Sequence, residues 1–159
     1  MEKHQKRPKN PSLHREIIGW REWVAFPDIA IPEIKAKVDT GARSSAIHAN
    51  RIVPFERDGV LWVDFEVYPL QKNNHTRVSC SARVSDHRQV RSSSGHNEER
   101  YVVTTKLKIG NQSYPIEITL TNRDQMGFRV LLGRTAIRRH FLVNSGRSFL
   151  YGKLPEKYF

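Results

Sequence analysis

Lys37-Val38-Asp39-Thr40-Gly41-Ala42-Arg43-Ser44-Ser45 is the stretch whose reading decides the fold. The approach to it, Ile34-Lys35-Ala36-Lys37-Val38, alternates apolar and basic residues as a strand with one buried face does. That strand delivers a single carboxylate into a turn. Each residue of the turn has a chemical use. Asp39 can hold or remove a proton, and the Thr40 hydroxyl can brace the loop against nearby backbone. Gly41 lets main chain approach closely or take a positive φ, and Ala42 leaves room for a neighbour. Asp-Thr-Gly also occurs in ordinary strand-ending turns, so a second feature has to decide. It lies well downstream, in Phe128-Arg129-Val130-Leu131-Leu132-Gly133-Arg134-Thr135-Ala136-Ile137. There an apolar strand ends in Gly-Arg and then turns helical.

The two stretches, in this order, resemble the paired signatures of the retropepsin-like aspartic proteases. In that fold the second strand passes beside the catalytic loop, and its glycine permits the contact. The resemblance sharpens toward a bacterial retropepsin-like family labelled ATP-dependent zinc proteases. Its pattern is similar to Gly19-Trp20-Arg21-Glu22-Trp23-Val24, Lys35 to Arg43, Val90-Arg91-Ser92-Ser93-Ser94-Gly95 and the Leu-Leu-Gly-Arg segment, and it extends from Ile17 to Leu154. It implies an all-β domain, a closed barrel or sandwich of short antiparallel strands with one short C-terminal helix. Asp39, Thr40 and Gly41 would then be catalytic. Ala42, Arg43, Arg91, Ser93, Ser94, Gly95, Gly133 and Arg134 would touch substrate. The resemblance also implies association with ATP-grasp ligases that add glutamates to proteins, and hence acidic, glutamate-tailed substrates.

The zinc and ATP in that label find no support in the residues. The seven histidines, His4, His14, His48, His75, His87, His96 and His140, never approach the His-Glu-x-x-His arrangement. His87 and His96 share one polar loop, too few for a firm site. No glycine-rich phosphate loop ending in Lys is present. The expectation is therefore no metal and no cofactor.

Composition bounds the rest. A chain of 159 residues suits one domain with a hydrophobic core. Residues 1–14 read as a flexible basic tail and 15–159 as the protease domain. The tail has no apolar run after its charges, so it does not read as a secretory signal. No segment is long and apolar enough to span a membrane. One cysteine, Cys80, excludes an internal disulfide, suits a reducing compartment and points to the cytoplasm. It stands in an alternating strand as a small inert residue. The formal net charge of +11 steers any anionic partner. It permits RNA, ribosome or acidic-protein binding, yet no stretch reads as a nucleic-acid motif. A non-catalytic basic binding module is the second reading.

About nine strands follow from the pattern. The first spans Ile17 to Phe26, with Trp20 and Trp23 either covering a core edge or offering a platform for bases. Asp58-Gly59 and Gly110-Asn111 mark hairpin turns. His48 reads as a structural strand residue. Ser85 to Arg100 is almost wholly polar, and at that length composition alone favours a disordered surface excursion over a functional loop; the family resemblance reverses that preference. In a retropepsin-like fold it is the flap, with Ser92 to Gly95 at its tip and Arg88, Arg91 and Arg100 placed to hold acidic groups. The one helix runs Thr135 to His140, and a last strand covers Ser148 to Tyr151.

The chemistry sets one further requirement. Two carboxylates sharing a proton are needed, one taking a proton from water while the other polarises the scissile carbonyl. This chain has one Asp-Thr-Gly, and Asp64, Asp86 and Asp124 lack the residues that would build a second loop. A working site therefore calls for a homodimer, with Thr40 bracing the paired loops and Arg43 pointing outward or to substrate.

Overall fold

Alternate residues along almost every strand are buried, so the pleat sorts side chains onto an inner and an outer face. The computed structural model describes residues 15–70, 75–91, 95–122 and 127–152. The tail expected over residues 1–14 lies outside the described residues. The elements are β1 (Glu16–Gly19), β2 (Arg21–Phe26), β3 (Ile31–Val38), β4 (Ser45–His48), β5 (Asn50–Arg57), β6 (Val60–Val67), β7 (Val78–Arg91), β8 (Asn97–Ile109), β9 (Gln112–Thr121), β10 (Val130–Leu132), α1 (Arg134–Ile137) and β11 (Phe141–Asn144). No helix is long and apolar enough to cross a membrane among the described residues.

Six strands close a barrel in the order β2-β3-β10-β4-β9-β8, sealed where β8 meets β2 at Ala25 and Lys108. Closure removes the unpaired edges that an open sheet would present. The sheet continues beyond β8 through β7, β6 and β5, while β1 and β11 form a separate two-stranded sheet. Ile31, Ile34, Phe26, Ile47, Leu107 and Leu132 fill the barrel interior with essentially no exposure. Each such side chain contributes about 1.5–3 kcal/mol by leaving water. Phe65, Val67, Cys80 and Ala82 carry the core under the β6–β7 extension.

The all-β reading and the single short helix hold, with differences that have physical causes. Three pairings are parallel: β3 with β10, β4 with β9 and β1 with β11. The expected first strand is two, because the chain breaks at Trp20, whose N–H donates to the Arg147 carbonyl at 2.9 Å. Ser85 to Arg100 is largely strand. β7 and β8 pair down to Arg91 opposite Asn97. With the described side chains at its outer end exposed or only partly covered, no apolar alternation marks it in the sequence, while backbone pairing continues. The helix occupies Arg134–Ile137 rather than 135–140.

The last strand also moves, to Phe141–Asn144, where it pairs with β1 in register Ile17 opposite Leu142. Residues 147–151 form a strap instead of the expected strand. Phe149 stands at φ 52°, a conformation that a bulky residue rarely takes, and its N–H donates to Arg21 O at 3.0 Å. The strap is held by a carboxylate. Glu22 is fully buried and accepts from the N–H groups of Gly19 (3.0 Å), Leu150 (3.0 Å) and Tyr151 (3.2 Å). Charge-assisted bonds of this kind are what make a buried carboxylate tolerable. Gly19 is required beside it, because a Cβ there would lie 2.2 Å from the Arg147 carbonyl oxygen.

Glu22→Ala is expected to destabilise the fold by more than about 3 kcal/mol, since three donors lose their acceptor at about 1–3 kcal/mol each. Glu22→Gln, which keeps one acceptor oxygen, should lose less. Urea denaturation measures both, and a Glu22→Ala midpoint equal to wild type would refute the carboxylate's role.

Candidate active site

The Asp39 turn is fixed from two directions. β10 slots between β3 and β4, with Leu132 opposite Val38 and Val130 opposite Ile47. This brings the end of β10 against the turn, and the Asp39 N–H donates to the Leu132 carbonyl at 2.9 Å. Inside the turn, Gly41 N–H donates to Asp39 Oδ1 at 3.0 Å and Ala42 N–H to the Asp39 carbonyl at 3.2 Å. Gly41 serves by close approach, not by positive φ: a Cβ there would sit 3.2 Å from the carboxylate oxygen.

Gly133 to Thr135 clamp the other side. Gly133 N–H donates to Ser45 Oγ at 3.0 Å, Arg134 N–H to Ala42 O at 2.8 Å and Thr135 Oγ1 to Arg43 O at 2.8 Å. The Arg134 guanidinium donates to the carbonyls of Thr40 (3.3 Å) and Gly41 (3.1 Å). Gly133 is needed for this contact, because a Cβ would meet the Ser44 carbonyl oxygen at 2.4 Å. Asp39 remains half-exposed, and Thr40, Gly41, Arg43 and Ser44 are exposed. A carboxylate with one oxygen pinned by a backbone donor, on a rigid loop open to one side, can meet a second carboxylate and a water.

The structure brings Asp39, Thr40, Gly41, Ala42, Arg43, Gly133 and Arg134 into one place. Arg134 sits there with its guanidinium on loop carbonyls. Arg43 makes no ion pair with Asp39 and faces a cleft of about 620 Å³. Gly95 is exposed at the hairpin end with φ 83°. Ser93, Ser94 and the Arg91 side chain lie outside the described residues. The sequence reading missed Ser45 and Thr135 as partners of the clamp, although each is a hydroxyl residue standing just after its motif's turn. It also missed Arg138 and Arg139, which line the same cleft.

Other candidates resolve structurally. Trp20 and Trp23 are half-buried and pack on Phe128 and Phe149, with Arg21 over Trp20 at 4.6 Å and Lys35 over Trp23 at 5.9 Å. They cover the barrel's edge. His48 is 4% exposed within β4. Cys80 is buried, its thiol directed to the Ile29 carbonyl, and burial pushes its pKa up to about 12. No three His, Cys, Asp or Glu side chains gather as a metal-holding group among the described residues.

The family model described as retropepsin-like aspartic endopeptidase RimB matches residues 17–153. The chain belongs to the RimB-like family. That description names an aspartic endopeptidase and carries neither zinc nor ATP, so the older label suggested by the resemblance is not supported. Proteins named "Probable alpha-L-glutamate ligase" are similar: one from Shewanella pealeana is 47% identical over 142 residues, and one from Desulfotalea psychrophila 45% over 145. These matches cover 89% and 91% of this chain but 31% of each relative. The chain thus spans about a third of the curated relatives it matches. The crystal structure of a Legionella pneumophila protein of unknown function superposes with a TM-score of 0.73 at 27% identity, covering 86% of this chain and 98% of that one.

Two outcomes test this geometry. Gly133→Ala forces the Ser44 carbonyl away and should cost about 1–3 kcal/mol in thermal or urea unfolding; an unchanged midpoint would mean that the loop yields freely. The Cys80 thiol should resist alkylation in the native protein at pH 8 and react promptly in denaturant, as mass spectrometry reads directly.

Proposed function

We propose that this member of the RimB-like family is an aspartic peptidase whose working site is assembled from two copies of the chain, each contributing Asp39. The observation that carries this reading is the half-exposed Asp39 carboxylate on a turn locked by both motifs. The chain has one Asp-Thr-Gly, so the second carboxylate comes from a second copy across a two-fold axis. Carboxylates in contact cannot both ionise, and they hold one proton between them. The ionised member takes a proton from water as the water oxygen attacks the carbonyl carbon. The protonated member donates to the carbonyl oxygen, giving a tetrahedral diol. Collapse breaks the C–N bond, and the leaving nitrogen takes a proton from the pair. Thr40 is exposed beside Asp39, and in this reading it meets its counterpart in the partner loop.

The substrates are peptide or isopeptide bonds of acidic or glutamate-modified proteins. Support comes from the relatives named as glutamate ligases, in which a segment like this chain shares a polypeptide with a longer remainder. An ATP-grasp ligase acting on the same protein would be the functional partner. The second reading, a basic module that binds without cutting, is favoured by the net charge of +11 alone.

Light scattering beside a peptide-library cleavage assay tests the proposal. A mass near twice 18.5 kDa at working concentration is expected, with cleavage that falls at least about a thousandfold in Asp39→Ala. A monomer at every concentration, or cleavage indifferent to Asp39→Ala, overturns it.

A further inference from the structure

The Gly19 to Val24 segment carries no reacting group, yet it helps to build a layered surface on the outside of the barrel. Alternate residues of β2 and β3 turn outward, so Arg21 stands opposite Lys37 and Trp23 opposite Lys35. Phe128, just before β10, and Phe149, from the strap, join them. Cations and rings then alternate. Arg21 lies 4.6 Å from the Trp20 ring centre and 4.8 Å from that of Phe149. Lys35 Nζ lies 5.9 Å from the Trp23 ring centre and 5.4 Å from that of Phe128. Trp23 and Phe149 stack at 5.7 Å and 22°. Each of these side chains is half-buried and keeps part of its surface in water.

Covering the barrel leaves two features of this layer without a cause. Any residue at position 149 could donate its N–H to the Arg21 carbonyl, and Gly or Asn would take φ 52° more readily than Phe. The ring is therefore what the position supplies. Charge is the second feature. Glu33 is the one carboxylate that β2 and β3 place on this face, against Arg21, Lys35 and Lys37. Arg147 is exposed on the strap, and Arg21, Lys37 and Arg147 make no ion pair among the described residues. Surfaces that bury against protein are depleted in Lys. Phe55 and Trp62 under Arg57 form a similar cluster on the β5–β6 hairpin, but Glu56, Asp58, Asp64 and Glu66 offset the cations there.

We infer that the outer face of β2 and β3, completed by the strap, binds single-stranded nucleic acid. Bases stack on the open side of the Trp23–Phe149 layer and on the Arg21 guanidinium plane, surfaces that accept every base. Phosphates between them meet Lys37, Arg147 and the N–H edge of Arg21. The Arg21–Lys37 and Trp23–Lys35 rows are two residues apart, about 6.5 Å, so the face takes a short run of nucleotides. A duplex does not fit, because its bases present no open face. The rings come from positions 20, 23, 128 and 149 and meet only in the fold, so no contiguous motif announces the site. The inference goes beyond the peptidase reading and does not depend on it.

Anisotropy of a fluorescein-labelled oligouridine dodecamer, titrated with the full chain at low salt, tests the site. Phe149→Leu keeps the apolar cover but loses the ring, and should weaken binding at least about tenfold. Phe149→Tyr should bind like wild type. Lys37→Ala/Arg147→Ala should also lose at least about tenfold and flatten the salt dependence. Arg51→Ala/Arg57→Ala removes the same charge from the β5–β6 hairpin and should cost less than about threefold. Thermal midpoints confirm that each variant folds. Stacking quenches indole emission, so the oligonucleotide should quench Trp62→Phe as it quenches wild type. A DNA oligothymidine should bind comparably, since no group on the face is placed to read the 2′-hydroxyl; a preference between the two sugars identifies the natural source and keeps the site. Equal losses in the Lys37/Arg147 and Arg51/Arg57 variants would reduce the effect to net charge and overturn the proposal. Unchanged binding by Phe149→Leu would do the same, as would a duplex bound as tightly as the single strand. A wild-type dimer that Phe149→Leu splits in light scattering would also sink it, because a second copy then covers the face.

Discussion

The contact at Gly133 is the constraint on which the rest depends. A Cβ at this position would stand 2.4 Å from the Ser44 carbonyl oxygen, and the absence of one lets β10 end flush against the Asp39 turn. From that contact follow the Leu132–Asp39 bond, the Ser45–Gly133 bond and the grip of Arg134 on two carbonyls. Each is a modest interaction taken alone. Together they remove the freedom of a turn that would otherwise be a surface loop, and a carboxylate has to be held in this way if it is to share a proton with a twin.

What was legible in the residues was local. Asp39-Thr40-Gly41 and Leu132-Gly133-Arg134 announce themselves because their chemistry is concentrated in a few adjacent positions. Alternation in β3, β6 and β9 was readable because one face of each is buried. The outer end of the β7–β8 hairpin, Ser85 to Arg100, was harder, since the described side chains there are exposed or only partly covered and no apolar period survives. The strap at residues 147–151 could not be read at all: its backbone is satisfied by Glu22, a side chain more than a hundred residues earlier, instead of by a ladder. The arginine cleft was half visible. Arg88 and Arg100 drew notice within the polar segment, but Arg138 and Arg139 were read only as part of the helix Thr135 to His140, and the fold sets them in the same cleft.

The Gly19 to Val24 segment shows how a motif can be structural and still bear on the site. It holds no chemistry of its own. Glu22 and Gly19 anchor the strap, and the strap's Phe149 packs on Trp23, covering the outer face of β2. β2 pairs with β3, whose end carries Asp39. The matches to the relatives cover 89% and 91% of this chain, and so include the Gly19 to Val24 segment together with the Asp39 turn within about a third of each longer chain.

The way the barrel is sealed also sets an order of events during synthesis. β2 is closed by β8, β1 pairs with β11 from Glu16 opposite Phe141, and Glu22 waits for Leu150 and Tyr151. A nascent chain therefore leaves one edge of β2 unmet until β8 emerges, and β1 unpaired until β11 follows near the end of the described residues. Such long-range closure makes for slow folding. It also means that a truncated or half-made chain has no ordered Asp39 turn, because Gly133 to Thr135 arrive late. The Asp39 turn takes its shape only once Gly133 to Thr135 are in place against it.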